Sequence, residues 1–106
     1  MRIELVYDRV CPNAGQAREN LQRALALTGC EARWVEWDRS DAASPAYTRE
    51  FGSPTCLVEG RDVAGAMASG AIESCRLYPV SGGGFERAPT VEQIARVLRM
   101  DCAAPQ

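Results

Sequence analysis

The apolar positions of the chain repeat with the spacing of a strand in some segments and with the spacing of a helix in others. These spacings predict which element each segment forms. Residues 3–7 are mostly apolar and predict a first strand. Apolar residues then recur at helical spacing as far as Gly29, which suits the end of a helix because it lacks a Cβ. The positions with this spacing are Ala14, Ala17, Leu21, Ala24, Leu25 and Thr28.

The start of this helix is predicted from Pro12. Proline is favoured at the first helical position, because its missing N–H would have no partner there in any case. Cys11 is therefore expected to be the N-cap residue.

The middle of the chain predicts a second and a third strand. Residues 31–37 form the second, and a strand–helix–strand run with short connections favours a right-handed parallel unit. A short helix is expected over residues 42–50, with Pro45 in its first turn. The apolar part of residues 51–58 predicts the third strand. A turn over residues 59–62 then leads to a returning strand from Val63.

The last third of the chain predicts one more strand and a final helix. Residues 64–74 are expected to form a loop, residues 75–80 a strand and Gly82–Gly84 a flexible turn. Thr90 is expected to cap the last helix, and the tail from Asp101 to fray. The apolar face of that helix comprises Val91, Ile94, Ala95, Val97 and Leu98.

These elements predict a single α/β domain over residues 1–106, with a parallel half followed by an antiparallel half. The expected sheet is mixed and flanked by helices, and it has four strands or, alternatively, five.

Charge and hydropathy narrow the classes of partner. The net charge is −2, and the basic residues are scattered, so no nucleic-acid surface is expected. No apolar run approaches the roughly 20 residues that span a bilayer, and the N-terminus lacks the apolar core of a signal peptide. A cytoplasmic location without membrane association is therefore expected.

The residue types that are absent restrict the chemistry further. The chain has no histidine, which excludes Cys-His catalysis and histidine metal sites. It has no lysine either, so Schiff-base chemistry is excluded. Thiol, carboxylate, guanidinium and hydroxyl chemistry remain, and no cofactor is expected.

Five cysteines are present, at positions 11, 30, 56, 75 and 102. Their number is odd and their spacing irregular, so a disulfide framework is not expected. No Cys-x-x-Cys occurs, so a zinc ribbon and a dithiol redox motif are absent in their usual forms.

Three short segments carry a resemblance to the thioredoxin superfamily. A strand leads to Cys11-Pro12-Asn13 at a helix start, and Gly52-Ser53-Pro54-Thr55 later opens another strand. With Ser74-Cys75-Arg76-Leu77-Tyr78, they resemble small bacterial thioredoxin-like proteins, some of which are labelled as related to alkylmercury lyase. The resemblance implies a thioredoxin-like fold in which Pro54 is cis and lies against the Cys11 thiol.

The resemblance also implies a function. Cys11 would be the reactive thiol, and an extended substrate would pair with the backbone beside Pro54. The implied substrate-binding residues are Pro12, Asn13, Ser53, Pro54 and Thr55. The chain departs from the family pattern at Ala14, which stands where a resolving cysteine is usual. Thiol–disulfide or related redox chemistry would therefore proceed without a Cys-x-x-Cys motif.

Cys11 has a physical reason to be reactive. A helix N-terminus presents unpaired N–H groups and the positive end of the helix dipole, and both lower the pKa of a cysteine there. Arg9 would add to this effect, whereas Asp8 would oppose it if the two side chains face the same way.

Topology suggests Cys75 as a second catalytic residue, because the chain after Val63 heads back toward the Cys11 end of the sheet. The pair would replace the missing resolving thiol. It would alternatively form a thiolate site for mercury, copper or arsenic, with Cys56 as a third ligand. Cys56 and Cys75 can equally be packed as small hydrophobic residues.

Three functions therefore stay open: a thiol-dependent oxidoreductase, a soft-metal thiolate protein, and a binding module that kept the fold without the chemistry. The expected partner of the first is a thiol-containing small molecule or protein. An exposed edge strand would also allow a homodimer.

Overall fold

The computed structural model describes residues 1–65, 78–80 and 82–102, without the side chains of Pro79 and Cys102. Two α-helices and one 3₁₀ helix accompany six short strands. In chain order these are β1 (Ile3–Tyr7), α1 (Ala14–Thr28), β2 (Trp34–Asp38), the 3₁₀ helix (Ala46–Glu50), β3 (Thr55–Val58), β4 (Arg61–Asp62), β5 (Tyr78–Pro79), β6 (Phe85–Glu86) and α2 (Val91–Cys102).

The main sheet is mixed and has the strand order β2-β1-β3-β4 among the described residues. β1 pairs in parallel with β2 and antiparallel with β3, and β3 pairs antiparallel with β4. This agrees with the predicted four-stranded sheet, in which the parallel half comes first. β5 pairs with β6 in a separate two-stranded ribbon, not with the main sheet.

Both α-helices pack on the same face of the main sheet. Alternation along β1 points Ile3 and Leu5 to this face, and Cys56 and Val58 of β3 accompany them. The core contacts from the helices come from Leu21, Ala24, Leu25, Ile94, Ala95 and Leu98. The positions that periodicity predicted for α1 and α2 are therefore the ones that pack on the sheet.

The opposite face of the sheet holds a buried carboxylate. Glu4 is only 2 % exposed, and it accepts hydrogen bonds from Trp37 Nε1 (2.9 Å) and from the Tyr47 hydroxyl of the 3₁₀ helix. Arg2 Nε lies 3.3 Å from the same carboxylate. The bonds tie the 3₁₀ helix to β1 and β2 and supply the partners that a buried charge needs.

An ion pair fastens α1 to β2. The Arg18 guanidinium donates two bonds of 2.8 Å to the Glu36 carboxylate, which also accepts one from Trp34 Nε1. Arg18 also lies 5.9 Å from the centre of the Tyr7 ring. Its guanidinium, followed by the Trp34 bond, lowers the pKa of Glu36 against the opposing effect of burial.

The helix ends follow the sequence closely, with one exception. Gly29 ends α1 in the left-handed conformation (φ 68°), as predicted. Thr90 and Gln93 cap α2 reciprocally, each side-chain oxygen accepting the other residue's backbone N–H at 3.0 Å. The start of α1 was predicted wrongly. The N-cap is Asn13, not Cys11, and Pro12 lies in the preceding turn.

Other boundaries also differ from the predictions. β2 begins at Trp34, three residues late, and the predicted helix over 42–50 is a 3₁₀ turn that begins after Pro45. The returning strand is Arg61–Asp62, so it lies within the predicted turn. A tight turn permits this early return, because Glu59 and Gly60 both adopt positive φ.

Residues 66–77 and 103–106, which include most of the predicted loop, part of the predicted strand over 75–80 and the end of the tail, lie outside the described residues. Within the described part of the chain, neither helix is long and apolar enough to cross a membrane.

Candidate functional site

The candidate site is the turn between β1 and α1, residues 8–13, which we call the Cys11 turn. Cys11 lies at the boundary of the interior, with 9 % of its surface exposed. Its thiol lies 3.9 Å from the Ser53 carbonyl oxygen, to which it donates a weak hydrogen bond. Such a bond favours the protonated thiol, whereas the nearby N-terminus of α1 favours the thiolate.

The segment before β3 lies directly against the Cys11 turn. The Ser53–Pro54 peptide bond is cis. The Ser53 hydroxyl accepts the backbone N–H of Asp8 at 2.8 Å, and the Tyr78 hydroxyl donates to the Pro54 carbonyl. Two of the segments that carry the resemblance, around Cys11 and around Pro54, are thus adjacent in space.

The predicted substrate-binding residues differ in accessibility. Pro12 is exposed and Asn13 half-buried, whereas the side chains of Ser53, Pro54 and Thr55 are buried. The Thr55 hydroxyl donates to the Gly52 carbonyl at 2.7 Å. Any contact of a partner with residues 53–55 would therefore involve the backbone more than these side chains.

Sequence analysis did not anticipate that Tyr78 touches this site. Tyr78 is fully buried, and its hydroxyl reaches the Pro54 carbonyl from β5, far along the chain. Sequence analysis considered the segment Ser74–Tyr78 for its resemblance, for Cys75 and for a predicted strand, and it assigned no role to Tyr78. A contact between residues 24 positions apart leaves no periodicity in the sequence.

Charges around the Cys11 turn are paired crosswise between the ends of β1 and β2. Arg39 Nη1 lies 3.3 Å from the Asp8 carboxylate, and Arg9 Nε lies 3.1 Å from that of Asp38. Asp38 has a lowered pKa, first because Ser40 donates to it and then because Arg9 faces it. Each charge that sequence analysis placed beside Cys11 is therefore partnered by the opposite charge.

Cys56 is a different kind of thiol. It is fully buried under the helices in the main core, beside Ile3 and Val58. Burial, with a smaller contribution from Asp62, raises the pKa of its thiol to about 12. Because metal binding and nucleophilic attack both need the thiolate, this environment argues against Cys56 as a metal ligand.

The remaining three cysteines are Cys30, Cys75 and Cys102. Cys30 is disulfide-bonded, and the spacing of the cysteines did not predict this bond. The predicted catalytic partner Cys75 and the side chain of Cys102 lie outside the described residues. Among the described residues, no three cysteine or acidic side chains form a group that could hold a metal ion.

One cavity among the described residues is lined by no residue of the Cys11 turn. It has a volume of about 460 Å³ and lies between the β3–β4 turn and α2, where Phe51, Val63, Val97 and Met100 line it. The Cys11 site is a contact between a turn and the entry to β3.

No protein-family model, curated protein or solved structure matches the chain. Any assignment of function therefore depends on the geometry of the Cys11 turn and on the chemistry of its residues.

Proposed function

We propose that the protein is a thioredoxin-like thiol protein in which Cys11 carries out thiol–disulfide exchange without a Cys-x-x-Cys motif. The observation that carries the proposal is the position of Cys11. Its thiol lies just before α1 and 3.9 Å from the carbonyl of the residue that precedes Pro54.

The state of the other described cysteines supports the choice of Cys11. Cys56 is fully buried with a raised pKa, and Cys30 is already disulfide-bonded. Cys11 lies at the edge of the interior, beside the N-terminus of a 15-residue helix. Of these three cysteines, Cys11 is the most exposed and the one that lies beside a helix N-terminus.

The proposed reaction begins when the Cys11 thiolate attacks one sulfur of a partner disulfide. A new bond forms between Cys11 Sγ and that sulfur, the partner's S–S bond breaks, and the second partner sulfur leaves as a thiolate. The mixed disulfide is resolved in one of two ways. An external low-molecular-weight thiol attacks the partner sulfur and releases Cys11 as the thiolate, or Cys75 attacks Cys11 Sγ, releases the partner sulfur as a thiolate and leaves a Cys11–Cys75 disulfide that a low-molecular-weight thiol then reduces.

The test is mixed-disulfide formation by the native, reduced protein. Incubation with excess oxidised glutathione is expected to add one glutathione at Cys11, with release of one reduced glutathione, as read by intact and peptide mass spectrometry. Cys11→Ser should abolish this adduct, and Cys56→Ser is the matched control that should not. An adduct that appears on Cys11 only in denaturant would contradict the proposal and leave the binding module as the better interpretation.

A further inference from the structure

Asp8 is bonded through all three of its polar groups. Its backbone N–H donates to the Ser53 hydroxyl at 2.8 Å, and its carbonyl accepts the backbone N–H of Cys11 at 2.8 Å. Its carboxylate accepts from Arg39 Nη1 at 3.3 Å. One residue therefore connects Cys11, the strand entry before Pro54 and the end of β2.

Arg39 is itself held in place from three directions. Its backbone N–H donates to the Tyr7 carbonyl at 2.8 Å, which continues the β1–β2 pairing by one residue. Its guanidinium bonds both the Asp8 carboxylate and, at 3.3 Å, the Arg49 carbonyl. Only 13 % of its side chain is exposed, so solvent screens this ion pair less than a surface pair.

We propose that Asp8 and Arg39 are a positioning pair for Cys11, in which Asp8 fixes the turn that carries the thiol and Arg39 neutralises the Asp8 carboxylate in that same turn. The inference rests on the proposed function and adds the groups that control its reactive residue. Without Arg39, the bonds that hold Cys11 against Ser53 would also place an uncompensated negative charge in the same turn.

A second charged pair at this end of the sheet is more exposed to solvent. Arg9 lies in the same turn, but 69 % of its side chain is exposed and Asp38 already pairs with it. The described strand entry around Ser53 contributes no charged side chain between Gly52 and Val58. The Asp8–Arg39 pair is therefore the least screened of the charged pairs in contact with the Cys11 turn.

The test compares how the rate of Cys11 alkylation by iodoacetamide depends on pH in the wild type and in variants of the pair. Asp8→Asn removes the negative charge and leaves Arg39, so the midpoint of the profile should move to lower pH. Arg39→Gln leaves the negative charge uncompensated, so the midpoint should move to higher pH. Each shift is expected to be about half a pH unit to one unit, or about three- to tenfold in rate near neutrality.

The decisive result is a shift of the midpoint in opposite directions in Asp8→Asn and Arg39→Gln, because both variants break the same ion pair. A purely structural role would loosen the turn in both cases and move both profiles in the same direction. The double variant Asp8→Asn/Arg39→Gln should return close to the wild-type midpoint, and Arg39→Lys, which keeps the charge, should do the same. Arg23→Gln breaks the exposed Arg23–Glu19 pair on α1 and should leave the profile unchanged.

The possible outcomes separate the two proposals. If wild-type Cys11 reacts only after unfolding, the proposed function fails and the positioning pair falls with it. If wild-type Cys11 reacts in the native protein but the two single variants shift together or not at all, the positioning pair alone is overturned. If Arg39→Gln does not fold, Asp8→Asn alone decides the question. A midpoint of its alkylation profile that stays in place or moves to higher pH would overturn the positioning pair.

Discussion

Cys11 and Cys56 show how strongly position alone changes the same side chain. Cys11 has a helix N-terminus beside it and a carbonyl to which its thiol donates. Cys56, two residues past Pro54, faces the helices from the middle of the sheet and has no water with which to stabilise a charge. Ionisation of the thiol is therefore feasible at Cys11, whereas it carries a large free-energy cost at Cys56.

The raised pKa of Cys56 predicts a loss of stability at alkaline pH. Below about pH 9, the thiol is protonated in both the folded and the unfolded state. Between pH 9 and its folded pKa of about 12, only the unfolded state releases the proton, so stability falls as pH rises. The slope is up to about 1.4 kcal/mol per pH unit.

Urea unfolding of the wild type and of Cys56→Ala between pH 7 and 11 measures this effect. Tyrosine ionisation contributes equally to both proteins, so the difference between them isolates Cys56. The variant should be less stable at pH 7 by about 1 kcal/mol because of the small cavity. This difference should shrink above pH 9 and change sign before pH 11. A stability difference that does not change with pH would contradict the raised pKa of Cys56.

Glu4 predicts a second effect at the residue scale. Glu4→Ala leaves the Trp37 N–H and the Tyr47 hydroxyl without their acceptor, and should cost about 2–4 kcal/mol. Glu4→Gln keeps one acceptor oxygen and should cost less. Chemical denaturation monitored by tryptophan fluorescence measures both values. Equal losses for the two variants would show that the polar contacts do not hold the 3₁₀ helix to the sheet.

At the scale of elements, the α1 helix contains two glycines with opposite roles. Gly29 adopts φ 68° at the C-cap, whereas Gly15 lies exposed in the first turn of the helix. An added Cβ meets no atom within 4 Å at either position, so backbone conformation alone decides the effect of a substitution.

Alanine is therefore expected to change stability in opposite directions at the two sites. Gly15→Ala should stabilise the protein by up to about 1 kcal/mol, because alanine loses less backbone freedom in a helix. Gly29→Ala should destabilise it by about 1 kcal/mol, because alanine is strained at positive φ. Thermal unfolding followed by circular dichroism compares them. A stabilised Gly29→Ala variant would mean that α1 does not end at this residue.

At the scale of the whole molecule, local patterns predicted the elements well and their long-range contacts poorly. The apolar periodicity of α1, the C-cap at Gly29 and the cap at Thr90 are properties of neighbouring residues, and all three agree with the structure. The start of α1 was misplaced because Pro12 is as compatible with a turn as with a first helical position.

The candidate site depends on contacts that no local pattern records. The Asp8–Arg39 ion pair and the Tyr78–Pro54 bond join residues that are far apart in the sequence. Such pairings are decided by sheet register and by helix packing, which bring together residues that are far apart in the sequence. The resemblance drew attention to Cys11 and Pro54. The bonds that hold the Cys11 turn against Ser53 are seen only in the three-dimensional structure.

The most direct test of the central claim is the rate at which iodoacetamide alkylates each cysteine as a function of pH. The readout is peptide mass spectrometry on the native, reduced and metal-free protein. We expect Cys11 to react at neutral pH at least ten times faster than Cys56, and its modification to block mixed-disulfide formation. A Cys11 that reacts as slowly as Cys56 until the protein is unfolded would contradict a thiol function for this fold.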